Sequence, residues 1–193
     1  DKGLQKQFFK EHEIPSSSFS LFESKKEILN AIESGKLQLP FVQKLRTSGY
    51  DGKGVELING TDDLSRLMEG ASVIEDKVVL KKELAVIVAR NRKGEIKSFP
   101  LVEMEFNKEA NLVERLICPS NESATIHERA QLLAEKIISN LKMTGILAVE
   151  FFLDESDRLY VNEVAPRPHN SGHHTIESCI TSQYEQHLRY ILG

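Results

Sequence analysis

Apolar and polar residues follow two rhythms along this chain, and the rhythm changes block by block. Over residues 2–13 the apolar positions Leu4, Phe8 and Phe9 recur at helical spacing, and Ile14-Pro15 with the serines after it ends the helix. Ser24-Lys-Lys-Glu27 is a capping box, in which the serine and glutamate side chains each take up a backbone N–H. It predicts a helix over residues 24–34 that stops at Gly35. Residues 39–46 and 55–58 read as strands, and Thr61 as the cap of a third helix ending near Gly70. Residues 72–75 and 78–80 look extended, and 83–91 is a strand rich in β-branched residues. After the turn 91–94, residues 95–105 return as its partner, and 111–118 form a further strand. Thr125-Ile-His-Glu128 is a second capping box, opening a long amphipathic helix to about Lys142. Strands 145–153 and 158–164 follow, and Ser182-Gln-Tyr-Glu185 caps a closing helix. Strands that come as neighbouring hairpins between helical blocks predict an α+β fold with antiparallel sheets.

Composition narrows the class. The 193 residues are 40% hydrophobic and 28% charged, an ordinary globular balance that excludes disorder for the whole. A formal net charge of −4 argues against a nucleic-acid-binding surface, which needs a basic face. An anionic ligand must therefore be held by local charges. The longest uninterrupted apolar run, residues 84–89, is far short of a membrane span of ~20 residues. Cys118 and Cys179 lack metal-ligand spacing and suggest no disulfide framework, which fits a reducing cytoplasm. The chain opens on Asp1 and stops at Gly193 after an apolar helix-like run, so it reads as a piece of a longer polypeptide.

The hairpin of residues 145–164 carries the most informative chemistry. If Leu153 pairs with Arg158, Glu150 faces Val161 and Glu163 faces Ala148, so the two glutamates are diagonal neighbours on one side. Carboxylates at that spacing can converge on Mg²⁺ together with phosphate oxygens. Asn162 adds an oxygen donor next door, although strict alternation turns it to the other face. The bland alternative is two glutamates on a solvated sheet face, against which Ala148 and Phe152 make that face partly apolar.

Gly49-Tyr-Asp-Gly-Lys-Gly54 is not a Walker A loop, because no Gly-Lys-Ser/Thr follows and no helix opens there. Asp51-Gly52 signals a hairpin turn, and the same glycine-rich tip could close over phosphates through its N–H groups and Lys53. The irregular loop 162–174 offers Arg167, His169 and Asn170 as oxyanion ligands, with a transition-metal site at His169, His173 and His174 as the rival reading. Lys2 opens the chain and Lys44 interrupts an apolar strand. Each alone reads as a snorkelling surface lysine. Glu75 and Glu83 flank the passage between the two halves.

Taken together these segments resemble an ATP-grasp domain, and most closely that of the N5-carboxyaminoimidazole ribonucleotide synthetase family. The resemblance covers nearly the whole chain. It rests on Asp1-Lys2 with Gln5-Lys6, Pro40-Phe-Val-Gln-Lys44, the block 46–54, the strand 83–90, Ala148-Val-Glu-Phe-Phe152, the loop 162–173 and the block 181–189. It implies an ATP-grasp fold of two antiparallel α+β subdomains, residues 1–75 and 76–193, with nucleotide between them. It also implies that Lys2 and Lys44 contact ATP phosphates, that the stretch from Glu75 to Val78 meets adenine, and that Glu83 holds the ribose. Glu150 and Glu163 would ligate Mg²⁺ (or Mn²⁺), with Asn162 close by. Gly49, Gly52 and Gly54 would shape a mobile loop that brings Tyr50, Asp51 and Lys53 to the carboxylation site. Arg167, His169 and Asn170 would line the pocket for bicarbonate and aminoimidazole ribonucleotide. The implied reaction is ATP-dependent carboxylation through carboxyphosphate, in a cytoplasmic homodimer with an α/β domain before this region and a β-rich one after it. A biotin carboxylase-like or formate-using ATP-grasp ligase and a non-catalytic nucleotide-binding module are the alternatives.

Overall fold

The opening helix forms as α1 (Lys2–Glu11) and turns Gly3, Lys6 and Phe9 inward, so a lysine occupies one of its three buried positions. The computed structural model describes residues 1–47, 54–107 and 112–193. They divide into two units, residues 1–11 with 16–78 and residues 12–15 with 79–193. The expected break after Glu75 thus falls after Val78. Residues 12–15 join the second unit, where the Pro15 carbonyl accepts the Val161 N–H at 2.7 Å.

The first unit is a four-stranded antiparallel sheet in the order β1-β4-β2-β3, built from β1 (Phe19–Phe22), β2 (Phe41–Leu45), β3 (Val55–Ile58) and β4 (Ser72–Asp76). Helix α2 (Lys25–Glu33) starts where the capping box predicts: Ser24 Oγ accepts the Glu27 N–H at 3.3 Å, and the Glu27 carboxylate reaches back to the Glu23 N–H at 2.9 Å. Ile28 of this helix packs with Phe41, Ile58, Leu67 and Ile74. The third helix is a correction. Residues Thr61–Arg66 form a 3₁₀ helix that Gly60 precedes without a side-chain cap. The Asp63 carboxylate takes the Asn59 N–H instead, at 2.9 Å, and tight bonds such as Asp63 N–H to the Gly60 carbonyl close the turn.

The second unit is a six-stranded antiparallel sheet. Its main path is β10-β9-β5-β7-β8, and β6 pairs with β5. The strands are β5 (Leu80–Arg90), β6 (Ile96–Ser98), β7 (Val102–Asn107), β8 (Leu112–Ile117), β9 (Gly145–Asp154) and β10 (Leu159–Ala165). The single strand expected over 95–105 is two strands, interrupted around Pro100, which lacks the N–H a ladder needs. On one face of β5 and β9, Ile87, Ala89, Ile146 and Ala148 form a cluster against Tyr190 of α5 (Gln183–Leu192), the helix that follows the short α4 (Thr175–Ser178). The opposite set, Leu84, Val86 and Val88 with Leu147, Val149 and Phe151, is equally buried. Cover on both faces is why these two strands read as continuous apolar runs. Helix α3 (Ala124–Asn140) packs on β5 and is capped by Ser123, whose hydroxyl accepts the Ile126 N–H. The expected cap at Thr125 lies inside the helix. Among the described residues, no helix is long and apolar enough to cross a membrane.

Candidate functional site

Two groups of side chains stand out, one in each unit. In the first, α1 and β2 deliver Lys6 and Lys44 to Glu75 of β4. All three are buried, at 2%, 7% and 3% exposure. Lys6 Nζ lies 3.0 Å from Glu75 Oε2 and donates to Ser17 Oγ at 3.0 Å, and the Ser17 hydroxyl donates to that same carboxylate oxygen. Lys44 Nζ stands 3.0 Å from Oε1 in an ion pair without hydrogen-bond geometry. Burial pushes the Glu75 carboxyl up, but the ammonium groups of Lys44 and Lys6 and the Ser17 hydroxyl outweigh it and hold it below 4.5. The snorkelling alternative for Lys44 fails, because its ammonium is drawn inward by this carboxylate. The Glu75 carboxylate is therefore committed to the interior of the unit, with Lys44 held beside it.

Lys6 is the member of this buried group that was not among the expected site residues. Its helical register with Phe9 places it on the buried face of α1. Lys2 is half-buried at the start of α1, where its backbone N–H donates to the Arg46 carbonyl at 2.9 Å. Strands β2 and β3 pair up to Lys44 opposite Val55, and the Leu45 N–H donates to the Gly54 carbonyl at 2.9 Å. Gly54 has φ of 78°, a left-handed conformation that favours glycine. Gly49, Tyr50, Asp51, Gly52 and Lys53 lie outside the described residues. Val78 is half-buried just beyond β4.

In the second unit the β9–β10 hairpin brings two carboxylates face to face. Leu159 pairs with Leu153, Tyr160 with Phe152 and Val161 with Phe151, and then the register shifts by one. Without that shift Asn162 would oppose Glu150, and Glu163 would oppose Val149 on the buried face. The bulge sets Glu163 opposite Glu150, with Asn162 as the extra residue beside it. The diagonal arrangement expected from the sequence is thereby corrected to a direct cross-strand pair, with Cβ atoms about 4.5–5.5 Å apart. Glu83 lies on the same face, because it pairs with Phe152 while Ala85 pairs with Glu150. Glu83, Asn162 and Glu163 are half-buried.

The loop after β10 adds His169, which is buried. Its Nε2 lies 3.1 Å from Glu150 Oε1. Its Nδ1 receives the Ser171 backbone N–H at 3.3 Å and lies 2.9 Å from Ser171 Oγ. A backbone N–H can only donate, so Nδ1 accepts, and the neutral ring carries its proton on Nε2, toward Glu150. Arg167 and Asn170 are exposed and turned to their own loop: Arg167 donates to the Pro168 carbonyl and Asn170 Oδ1 accepts the Ser171 N–H. Of these three residues the structure brings His169 to the glutamates. Among the described residues, no three His, Cys, Asp or Glu side chains gather as a metal-binding group. A facing carboxylate pair suits Mg²⁺, which takes one or two carboxylates and completes its shell with phosphate oxygens and water.

Residues 7–184 match the ATP-grasp domain family. The chain is similar to the N5-carboxyaminoimidazole ribonucleotide synthase of Bacillus subtilis, 41% identical over 179 residues that cover 91% of this chain and 46% of that protein. Among solved structures it is similar to the N5-carboxyaminoimidazole synthetase of Staphylococcus aureus complexed with ADP, at 36% identity and a TM-score of 0.88, covering 100% of this chain and 51% of that one. It is also similar to the N5-carboxyaminoimidazole synthase of Aspergillus clavatus in complex with ADP and 5-aminoimidazole ribonucleotide, at 32% identity and a TM-score of 0.88, covering 100% and 50%. The chain spans about a third to a half of the length of the curated relatives it matches.

Proposed function

Because the chain belongs to the ATP-grasp domain family, we propose that it is the nucleotide-binding part of a ligase that uses ATP and bicarbonate to carboxylate 5-aminoimidazole ribonucleotide. The observation that carries this reading is the pair Glu150–Glu163, turned to one face by the bulge at Asn162 and buttressed by His169. These two carboxylates are the residues that would hold Mg²⁺, or Mn²⁺ in its place. Such an ion, when bound, neutralises the phosphate oxygens as charge develops on them.

The chain's own residues divide the remaining work. Lys44, fixed by Glu75, and Lys2 would bind phosphates as point charges. The backbone of residues 75–78 would meet adenine and the Glu83 carboxylate would hold the ribose. Tyr50, Asp51 and Lys53, on the loop that Gly49, Gly52 and Gly54 shape, would close over the reacting groups and exclude water from a mixed anhydride. His169, with Arg167 and Asn170, would orient bicarbonate and the ribonucleotide. Bicarbonate oxygen attacks the γ-phosphorus and releases ADP. The exocyclic amine of the ribonucleotide then attacks the carboxyl carbon and expels phosphate. A cytoplasmic homodimer belongs to the same proposal.

ATP consumption by the full-length protein, with and without bicarbonate and the ribonucleotide, tests this reading. Rapid ADP formation is expected only when both are present. ATP turnover indifferent to the ribonucleotide would point instead to another ATP-grasp ligase.

A further inference from the structure

The block 181–189 takes no part in the chemistry above, yet its Gln183 is fully buried at the first turn of α5. The Gln183 carboxamide holds both backbone groups of His169. The His169 N–H donates to Oε1 at 2.8 Å, and Nε2 donates to the His169 carbonyl at 2.8 Å. The backbone N–H of Gln183 donates to Thr175 Oγ1 at 2.9 Å, and the Thr175 hydroxyl donates to the Gly172 carbonyl at 2.6 Å. Ser171, Thr175 and Gln183 all have 0% exposure, so losing one of these bonds would leave a buried polar group without its partner. A Cβ at Gly172 would come within 2.2 Å of Ile87 Cδ1 and 2.6 Å of Gln183 Oε1, so the loop lies tight against both β5 and the amide.

Helix α5 is itself pinned to the strand that carries Glu150. The Ile146 N–H of β9 donates to His187 Nδ1 at 3.1 Å, and a Cβ at Gly145 would meet that imidazole at 2.8 Å. A closed circuit results: β9 holds α5 through His187, α5 holds the His169 backbone through Gln183, and His169 Nε2 returns to Glu150 on β9.

We propose that Gln183 is a positioning residue for His169 and, through it, for the Glu150 carboxylate. The amide spans two backbone groups of one residue, so it fixes where His169 sits as well as the path of the loop. Groups behind a ligating carboxylate set its orientation, and their loss typically costs about 10–100-fold in metal affinity or activity. The inference rests on the proposed function only for the use to which Glu150 and His169 are put.

The test is Gln183→Leu in the full-length protein, read by the imidazole ¹⁵N signals of His169 at one pH and by steady-state kinetics. His127, whose Nε2 lies 2.9 Å from the Ser120 carbonyl, serves as an internal control. The His169 signals are expected to move while those of His127 stay. The kcat should fall roughly 10–100-fold, with KM for ATP held within about 2-fold, the split expected of misplaced chemistry rather than lost binding. In a His169→Asn background the Gln183 change should add little, because both act through one contact. Unmoved His169 signals, or a Gln183 effect that multiplies undiminished on His169→Asn, would overturn the inference. If His169→Asn leaves turnover intact while the ring signals respond to Gln183→Leu, the active-site reading fails and the positioning stands. Should Gln183→Leu not fold, Thr175→Val removes the hydroxyl between Gln183 N–H and Gly172 and should act in the same direction, with Thr175→Ser restoring the wild-type signals and rate. A Thr175→Val protein with unmoved His169 signals would again overturn the inference.

Discussion

Glu163→Gln is expected to lower divalent-dependent ATP turnover by about 100-fold or more, since a metal ion's stabilisation of the transferring phosphate is worth several kcal/mol. The substitution keeps the shape of a half-buried side chain at the bulge and removes one charge from the facing pair. The fold should be kept, because glutamine matches glutamate in size and retains one acceptor oxygen. The loss should therefore appear in kcat and in the Mg²⁺ concentration for half-maximal rate, in a protein that still unfolds cooperatively. Glu150→Gln should act in the same direction. Its amide oxygen can still accept the His169 Nε2–H, so the loop after β10 should stay in place. Turnover within a few fold of wild type for both variants would remove the metal assignment.

Lys6→Met should instead be felt in stability. It strips one partner from a buried carboxylate, and breaking such a pair costs about 3 kcal/mol at the low end of the usual range, the end that applies while Lys44 remains beside Glu75. For a chain of this size that corresponds to a fall in melting temperature of roughly 6–12 °C. The pH dependence has a definite sign. The folded-state pKa of Glu75 is depressed, so its stabilising contribution is complete above the ordinary value of 4.5 and is lost as the pH falls through the folded value. The difference in stability between wild type and Lys6→Met should accordingly be full near neutrality and shrink as the pH drops below 4.5. Thermal melts of both proteins at a series of pH values would check this. A melting temperature within about 2 °C of wild type at neutral pH would show that Lys6 is not the partner on which Glu75 depends.

Local chemistry made part of this molecule legible in its sequence. Ser24 and Ser182 announce their helices because a cap is a contact between residues three apart, and both form. Thr125-Ile-His-Glu128 has the same pattern and is not a cap, because Ser123, two residues earlier, takes the Ile126 N–H first. Strand β1 is not legible in the sequence, because four residues at a sheet edge beside a run of serines carry no periodic signal. The pairing of Glu150 with Glu163 is nearly legible: strand alternation puts both on one side, but a bulge is decided by the pairing geometry of two strands. The Lys6–Glu75–Lys44 group was hidden for a different reason. Its members come from three elements, and a buried lysine and a surface lysine look alike until the carboxylate between them is placed. Gln183 belongs with it, since a polar residue inside a capping box already has an adequate local explanation.

Bicarbonate labelled with ¹⁸O provides the most direct measurement for the proposed chemistry. In the full-length protein turning over ATP, bicarbonate and 5-aminoimidazole ribonucleotide, carboxyphosphate formation predicts that a bicarbonate oxygen leaves with the phosphate, so inorganic phosphate gains one ¹⁸O atom per turnover. Unlabelled phosphate would contradict the account, since ATP would then be cleaved without bicarbonate as the nucleophile.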